Sequence, residues 1–305
     1  MSNSFEAARN QLARTIDRIQ GAYAPSTIRA YRSDFAAFIA FCETQGVEVF
    51  PPNPLTLADF ITHVSEKGRS SASIRRAVGG ISTIYRLNRM PDPNKDPEVV
   101  IAMKRMHRKL GRAAKQAQGI TSDLLDKLLA ATDASPRDLR NRALLLIAYD
   151  TLCRRSELIS LQIQDIKTFE RDGAEHTTIL LRRSKTDQEA AGRWLHLSER
   201  AQTALNAWLE VLQNKEGPIF RSINKHVTGT TPLVASQINR IFKRIAQNAQ
   251  LNENLIERIS GHSCRVGAAQ DLVNSGASLP IIMSKGRWTK TDTVMRYVEH
   301  IRYAA

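Results

Sequence analysis

Cysteine is scarce: Cys42, Cys153 and Cys264 are the only three in 305 residues. Their wide spacing forms no zinc pattern, and an odd, sparse set builds no disulfide framework. Each reads as a small buried apolar residue in a reducing, cytosolic setting. No apolar run approaches the roughly 20 residues a membrane-spanning helix needs. Residues 1–20 carry acids and bases in place of a signal core. A glycine-rich phosphate loop, a metal-ligand spacing among the histidines and a paired-carboxylate cluster are all missing too. ATP or divalent-metal chemistry therefore has no support in the sequence, and no cofactor and no metal are expected.

Charge is what the chain has in excess. Lys plus Arg number 44 against 30 Asp plus Glu, a formal net charge of +14, and the pI is near 10.0. Such a balance favours a polyanionic partner, because each basic side chain near a phosphate releases counterions. Residues 1–116 hold 18 Lys plus Arg against 10 acids, and the remainder 26 against 20, so both parts are basic. Two lobes closing around a duplex would show this distribution.

At this length the chain accommodates two domains. Pro25-Ser26-Thr27 opens a segment where Ile28, Tyr31, Phe35, Phe38, Ile39 and Cys42 recur at helical spacing. Leu57, Phe60, Ile61 and Val64 mark a second helix ended by Gly68, and Ser71 to Tyr85 holds a third. The two prolines of Met90-Pro91-Asp92-Pro93-Asn94 force a turn before a fourth helix, from about Asp96 to Leu110. Small, polar and basic residues from Gly111 to Gly119 read as an inter-domain linker. Beyond it come a helix after Thr121 and another from Pro136 through Tyr149. Short strands are expected at Ile166–Phe169, Thr177–Leu181 and Arg193–Leu197, with a turn at Arg171-Asp172-Gly173. Ser198 caps a further helix, and helices resume after Pro232 and after Ser260. The expected fold is mainly α: an all-helical domain over 1–115, then a helical domain over 116–305 with a small three-stranded antiparallel sheet.

The residues left to do chemistry are Arg, Lys, His and Tyr. Arg154 stands at a junction where one helix ends and another begins, where its fork of donors can meet a phosphate. Pairing with nearby Glu157 at the surface is the competing explanation. Lys185, in Arg182-Arg183-Ser184-Lys185, falls between the second and third strands, where a lysine is usually solvated but can also follow a DNA groove and donate a proton. His262 and Arg265 share a face at i, i+3 in an expected first helical turn, where the helix N-terminus adds affinity for phosphate. Trp288 is either plain core or an indole donor to a phosphate. On residue type alone Tyr297 has rivals in Tyr149 and Tyr303.

The order of these residues is more specific than any one of them. Arg154, Lys185, His262-x-x-Arg265, Trp288 and then Tyr297 resemble the tyrosine recombinase, or phage integrase, family. Asp150 to Ile166 looks like its first box and Ser260 to Tyr297 like its second, with Trp288 where many members have a histidine. The resemblance implies a site-specific DNA recombinase working through a 3′-phosphotyrosyl intermediate. Arg154 and Arg265 would clamp the scissile phosphate, Tyr297 attack it and Lys185 protonate the leaving oxygen. His262 would accept a proton or donate a hydrogen bond, Trp288 hold the phosphate and Glu157 brace the arginine. It further implies a core-binding N-terminal domain, double-stranded DNA carrying a recombination site as partner, four protomers around two such sites, and a nucleoid location. Arg75 and Arg76 on one helix, and Arg240, Lys243 and Arg244 on another, are the candidates for reading DNA; phosphate contact is the commoner fate of such residues. Two other readings stay open: a type IB topoisomerase, which would relax supercoils as a monomer, and an idle DNA-binding regulator.

Overall fold

In a computed structural model, residues 2–112, 116–184, 191–224 and 227–298 are described. The chain divides into two compact units, Met1–Lys115 and Gln116–Ala305.

Among its described residues the first unit holds five α-helices: α1 (Ser2–Arg18), α2 (Pro25–Gln45), α3 (Pro54–Glu66), α4 (Ser71–Leu87) and α5 (Pro97–Leu110). Proline opens α2, α3 and α5, where its missing N–H costs nothing. Asn53, Ser70 and Asp96 accept from the first free N–H groups of α3, α4 and α5. The apolar stripes meet in one core built around Phe35, Phe38, Phe60, Ile81 and Tyr85, whose Tyr85 hydroxyl donates to the Val49 carbonyl at 2.7 Å. Helix α1 was not among the expected elements, although Phe5, Ala8, Leu12 and Ile16 bury one face at helical spacing.

In the second unit the order is α6 (Ser122–Ala130), α7 (Pro136–Thr151), α8 (Arg155–Leu158), β1 (Ile166–Arg171), β2 (Ala174–Leu181), β3 (Arg193–His196), α9 (Glu199–Leu212), β4 (Arg221–Asn224), β5 (Val227–Pro232), α10 (Ala235–Asn248), α11 (Glu253–Arg258), α12 (Ser263–Asn274), α13 (Leu279–Gly286) and α14 (Thr291–Val298). The three expected strands form an antiparallel sheet in the order β1-β2-β3. Ile166 pairs with Ile179, which pairs with Leu195. Asp172 and Gly173 both take positive φ, as a two-residue hairpin turn requires. A second hairpin, β4-β5, was not anticipated. Helix α7 is the hub, with α9 and α12 packed along it. Leu144, Leu145, Ile147, Trp208 and Phe242 fill the shared core.

The stretch read as a linker is only partly one. The Gln118 N–H donates to the Arg258 carbonyl at 3.0 Å and that of Ile120 to the Ser263 carbonyl at 2.9 Å. A Cβ on Gly267 would stand 1.9 Å from the Ile120 oxygen, so the chain crosses α12 where only glycine fits. The polar look of 111–119 concealed this docking. All three cysteines are buried, and no helix of the described residues is long and apolar enough to cross a membrane.

Candidate active site

Helix α7 is capped by Leu152, the residue after Thr151, which takes the left-handed conformation, φ 50°. The last carbonyls of a helix lack partners within it and carry the negative end of its dipole. Here two guanidinium groups supply them. Arg265 Nη1 donates to the Leu152 carbonyl, and Arg287 Nη1 donates to that of Thr151 at 2.9 Å. The second arm of Arg265, Nη2, reaches the Gly286 carbonyl at 2.5 Å. Arg265 is thus fixed to three segments, its own α12, the end of α7 and the end of α13.

Arg265 is 1% exposed, and no carboxylate among the described residues lies within ion-pair distance of it. Burial, reinforced by Arg154 and Arg287, pushes its pKa down to about 10. Its Cζ sits 4.4 Å over the Trp288 ring, a cation–π contact that offsets part of that cost. The Trp288 ring in turn lies 5.3 Å from the Tyr297 ring, centroid to centroid. Gly286 makes the arrangement possible, since a Cβ there would stand 2.0 Å from the indole. Leu152, Ala268, Ala269, Ile282 and Val294 back the rings as a small separate core.

Arg154 is the residue before α8 and remains one-fifth exposed. Glu157 accepts its backbone N–H at 2.8 Å and its Nη1 at 2.7 Å. The other partner of Glu157 is Arg287 Nη2 at 3.0 Å. Burial alone would raise the Glu157 pKa, but the Arg154 backbone N–H and the two guanidinium groups outweigh it and hold the carboxyl below its ordinary value. The Arg154–Glu157 pair is therefore no idle surface contact: it ties a half-open cation to a buried frame.

His262 departs from expectation. It is the residue preceding α12, which begins only at Ser263, because Ser260 and Gly261 form a turn in which the Ser260 N–H donates to Ser263 Oγ at 2.9 Å. The His262 carbonyl still accepts the Val266 N–H at 3.0 Å, as the first turn of α12 requires, and burial first, then the fields of Arg265, Arg155 and Arg154, lower its pKa. Its Nδ1 is buried with no hydrogen-bond partner among the described residues. Such an orphaned ring nitrogen beside three guanidinium groups suits an anion arriving from outside.

Of the tyrosines, Tyr297 on α14 is half-buried against Trp288, whereas Tyr149 spends its hydroxyl on Asp271 at 2.5 Å. Lys185 and Tyr303 lie outside the described residues. Ser184, which precedes Lys185, lines a cavity of about 360 Å³ together with Arg193, Arg287 and Trp288. Arg75 and Arg76 are exposed on α4, and Arg76 pairs with the buried Asp34 at 2.8 Å. On α10 Lys243 donates to the Glu257 carbonyl and Arg244 pairs with Asp138, which leaves Arg240 as the outward-facing cation of the three. Among the described residues, no group of three His, Cys, Asp or Glu is placed to hold a metal ion.

Sequence reasoning missed two contributors. Arg287 stands next to Trp288 in the chain, but no local signal announces its burial. Arg155 lays its side chain across Gly261, where a Cβ would meet it at 2.2 Å. Asn239 holds both, accepting from Arg155 Nη1 at 3.2 Å and from the Gly261 N–H at 2.7 Å.

Residues 118–302 match the model of the phage integrase family, and residues 18–87 match that of the phage integrase N-terminal SAM-like domain. The recombinase Cre of Escherichia phage P1 is 27% identical, over 98% of this chain and 91% of that protein. An integrase/recombinase XerD homolog of Selenomonas ruminantium is 28% identical, over 92% and 84%. A lambda integrase tetramer bound to a Holliday junction shares the fold at a TM-score of 0.65 and 16% identity, over 95% of this chain and 76% of that one.

Proposed function

The chain belongs to the phage integrase family and is a site-specific tyrosine recombinase, and on that premise we propose how its residues divide the work. Arg154 and Arg265 grip the scissile phosphate and neutralise the charge that builds on its oxygens in the pentacoordinate transition state. The Tyr297 hydroxyl attacks phosphorus, a 3′-phosphotyrosyl bond forms, and the 5′-oxygen leaves as a hydroxyl. Lys185 donates the proton to that oxygen. His262 offers its unpartnered nitrogen to the same phosphate or to the proton leaving Tyr297. Trp288 spaces Arg265 from Tyr297, and Glu157 braces Arg154. The phosphodiester energy is kept in the phosphotyrosine, so the mechanism asks for no cofactor.

One observation carries this reading: Arg265 is a buried cation with no carboxylate partner among the described residues, held against the ring stack that ends in Tyr297. A buried charge left unpaired is expensive, and an anionic phosphate is the natural counter-ion.

The partner is double-stranded DNA carrying a recombination site, the kind of ligand on which lambda integrase, a relative in fold, is bound as a dimer on a core site and as a tetramer on a Holliday junction. The helical unit over 1–115 serves as the core-binding domain and 116–305 as the catalytic domain. Arg75, Arg76 and Arg240 contact the duplex, and four protomers assemble on two sites in the cytoplasm, at the nucleoid.

Covalent capture tests the reading. Purified protein is incubated in EDTA with duplexes nicked near the cleavage site, drawn from a random-sequence library, and resolved on a denaturing gel. A protein–DNA adduct mapped to Tyr297 is expected. Tight binding with no adduct anywhere in the library would instead make the chain an idle DNA-binding regulator.

A further inference from the structure

Away from the ring stack, a second group of arginines surrounds a cavity of about 210 Å³ at the start of α7, lined by Arg137, Arg140, Ser222, Gln237, Arg240 and Arg244. Arg140 is the informative member. It is 5% exposed, yet its donors go only to neutral oxygens: Nη1 to the Arg221 carbonyl at 3.0 Å, Nε and Nη2 to the Asn141 side chain at 3.2 and 2.8 Å. Among the described residues neither Arg137, Arg140 nor Arg240 forms an ion pair. The Asp138 carboxylate is taken by Arg244 at 3.1 Å and by Asn141 at 2.8 Å.

Asp138 compensates Arg140 only through Asn141 and is shared with Arg244, so keeping this guanidinium buried beside other cations is costly. The cavity has room for a phosphate-sized group with water. Its exposed rim, Arg137 and Arg240, gives a ligand access from solvent. Several guanidinium forks converging on one space match the many acceptors of a tetrahedral phosphate better than a single carboxylate.

We propose that this arginine pocket binds a phosphate group, namely a backbone phosphate of the bound duplex away from the bond that is cut. Arg140 supplies the fixed charge at the floor, and Arg137 and Arg240 close on the phosphate from the rim. The contact carries no sequence information. It fixes where the duplex lies on the second unit. This inference rests on DNA being the substrate.

The test uses the full chain. Arg140→Met removes the buried charge but also its anchors on Arg221 and Asn141, so the deciding variant is Arg137→Gln/Arg240→Gln at the exposed rim. DNA affinity is measured over a range of salt, and melting temperature with and without inorganic phosphate. The expected result is a plot of log affinity against log salt that is shallower than wild type by about 0.9 for each phosphate the rim arginines neutralise. An unchanged slope, joined to a phosphate-induced rise in melting temperature that the variant no longer shows, would overturn the duplex assignment and give the pocket to a small free anion. An unchanged slope with no phosphate effect on wild type would overturn the proposal entirely. Failure of the recombinase reading shows separately, as absence of a Tyr297 adduct with the wild-type protein.

Discussion

Arg287 and Glu157 form an ion pair at 3.0 Å in which their side chains keep only 6% and 3% of their exposure. They are 130 residues apart in the chain, and the pair joins the loop carrying Trp288 to the turn carrying Arg154. Arg287 does this from a left-handed backbone, φ 55°, a conformation that favours glycine. The side chain's partners must outweigh that strain.

Breaking this pair from one side leaves the buried Glu157 carboxylate with Arg154 as its remaining cation among the described residues. Arg287→Met is expected to destabilise the protein by about 1.5–3 kcal/mol, the worth of a hydrogen bond to a charged group, read by urea unfolding, and to slow adduct formation on a nicked duplex. Arg287→Gly relieves the backbone but removes the same partner from Glu157, so it should recover little. Stability at the wild-type level in both variants would show that the pair contributes nothing.

The two described tyrosines that compete as nucleophile, Tyr297 and Tyr149, should separate cleanly. Tyr297→Phe binds DNA with near wild-type affinity and forms no covalent adduct. Tyr149→Phe still forms the adduct but is less stable by about 1.5–3 kcal/mol, the worth of a hydrogen bond to a charged group, because its hydroxyl serves Asp271. An adduct surviving in Tyr297→Phe would move the nucleophile elsewhere.

His262 sets a pH dependence with a definite sign. Burial and the facing Arg265, Arg155 and Arg154 guanidinium groups lower its pKa below 6.5, against a smaller opposing pull from Glu157. In the window between that lowered value and 6.5 the unfolded chain binds a proton the folded one does not, so stability rises with pH across it. Acidifying from pH 7 should therefore lower the melting temperature of the free protein more in wild type than in His262→Gln. Identical pH profiles would contradict the assigned environment.

Gly267→Ala should act at a distance from any charge. Its Cβ would collide with the Ile120 carbonyl, which belongs to backbone and cannot rotate away. The crossing segment must lift, the Ile120–Ser263 hydrogen bond breaks, and the start of α12 shifts with Arg265 on it. A destabilisation of about 1–3 kcal/mol is expected from such overpacking, together with slower cleavage, both measurable on one preparation.

The helical stripes and the β1-β2-β3 sheet are readable from the sequence, because alternation and i, i+3, i+4 spacing are local signals. Ile166, Ile179 and Leu195 announce their strands, and the left-handed pair Asp172-Gly173 its hairpin. Helix α1 is legible as well, in Phe5, Ala8, Leu12 and Ile16, but its stripe is narrow and the rest of the segment is polar. The β4-β5 hairpin has no alternation to betray it. At the site, the order of Arg154, His262, Arg265, Trp288 and Tyr297 can be read from the chain. The carbonyl end of α7 that orients Arg265 and Arg287 cannot, since that placement depends on packing between segments more than 100 residues apart. The polar pocket around Arg140 is hidden for the same reason: in sequence, a buried arginine looks like any other.

The burial of all three cysteines has a practical corollary. Thiolates, and not thiols, react with alkylating reagents, and burial pushes the Cys42 thiol up to about 12 and raises those of Cys153 and Cys264 as well. The folded protein is accordingly expected to leave maleimides unreacted at neutral pH. A single cysteine introduced at an exposed position of either unit can carry a fluorophore with the native three left in place, so that the engagement of each lobe with DNA can be timed on individual molecules.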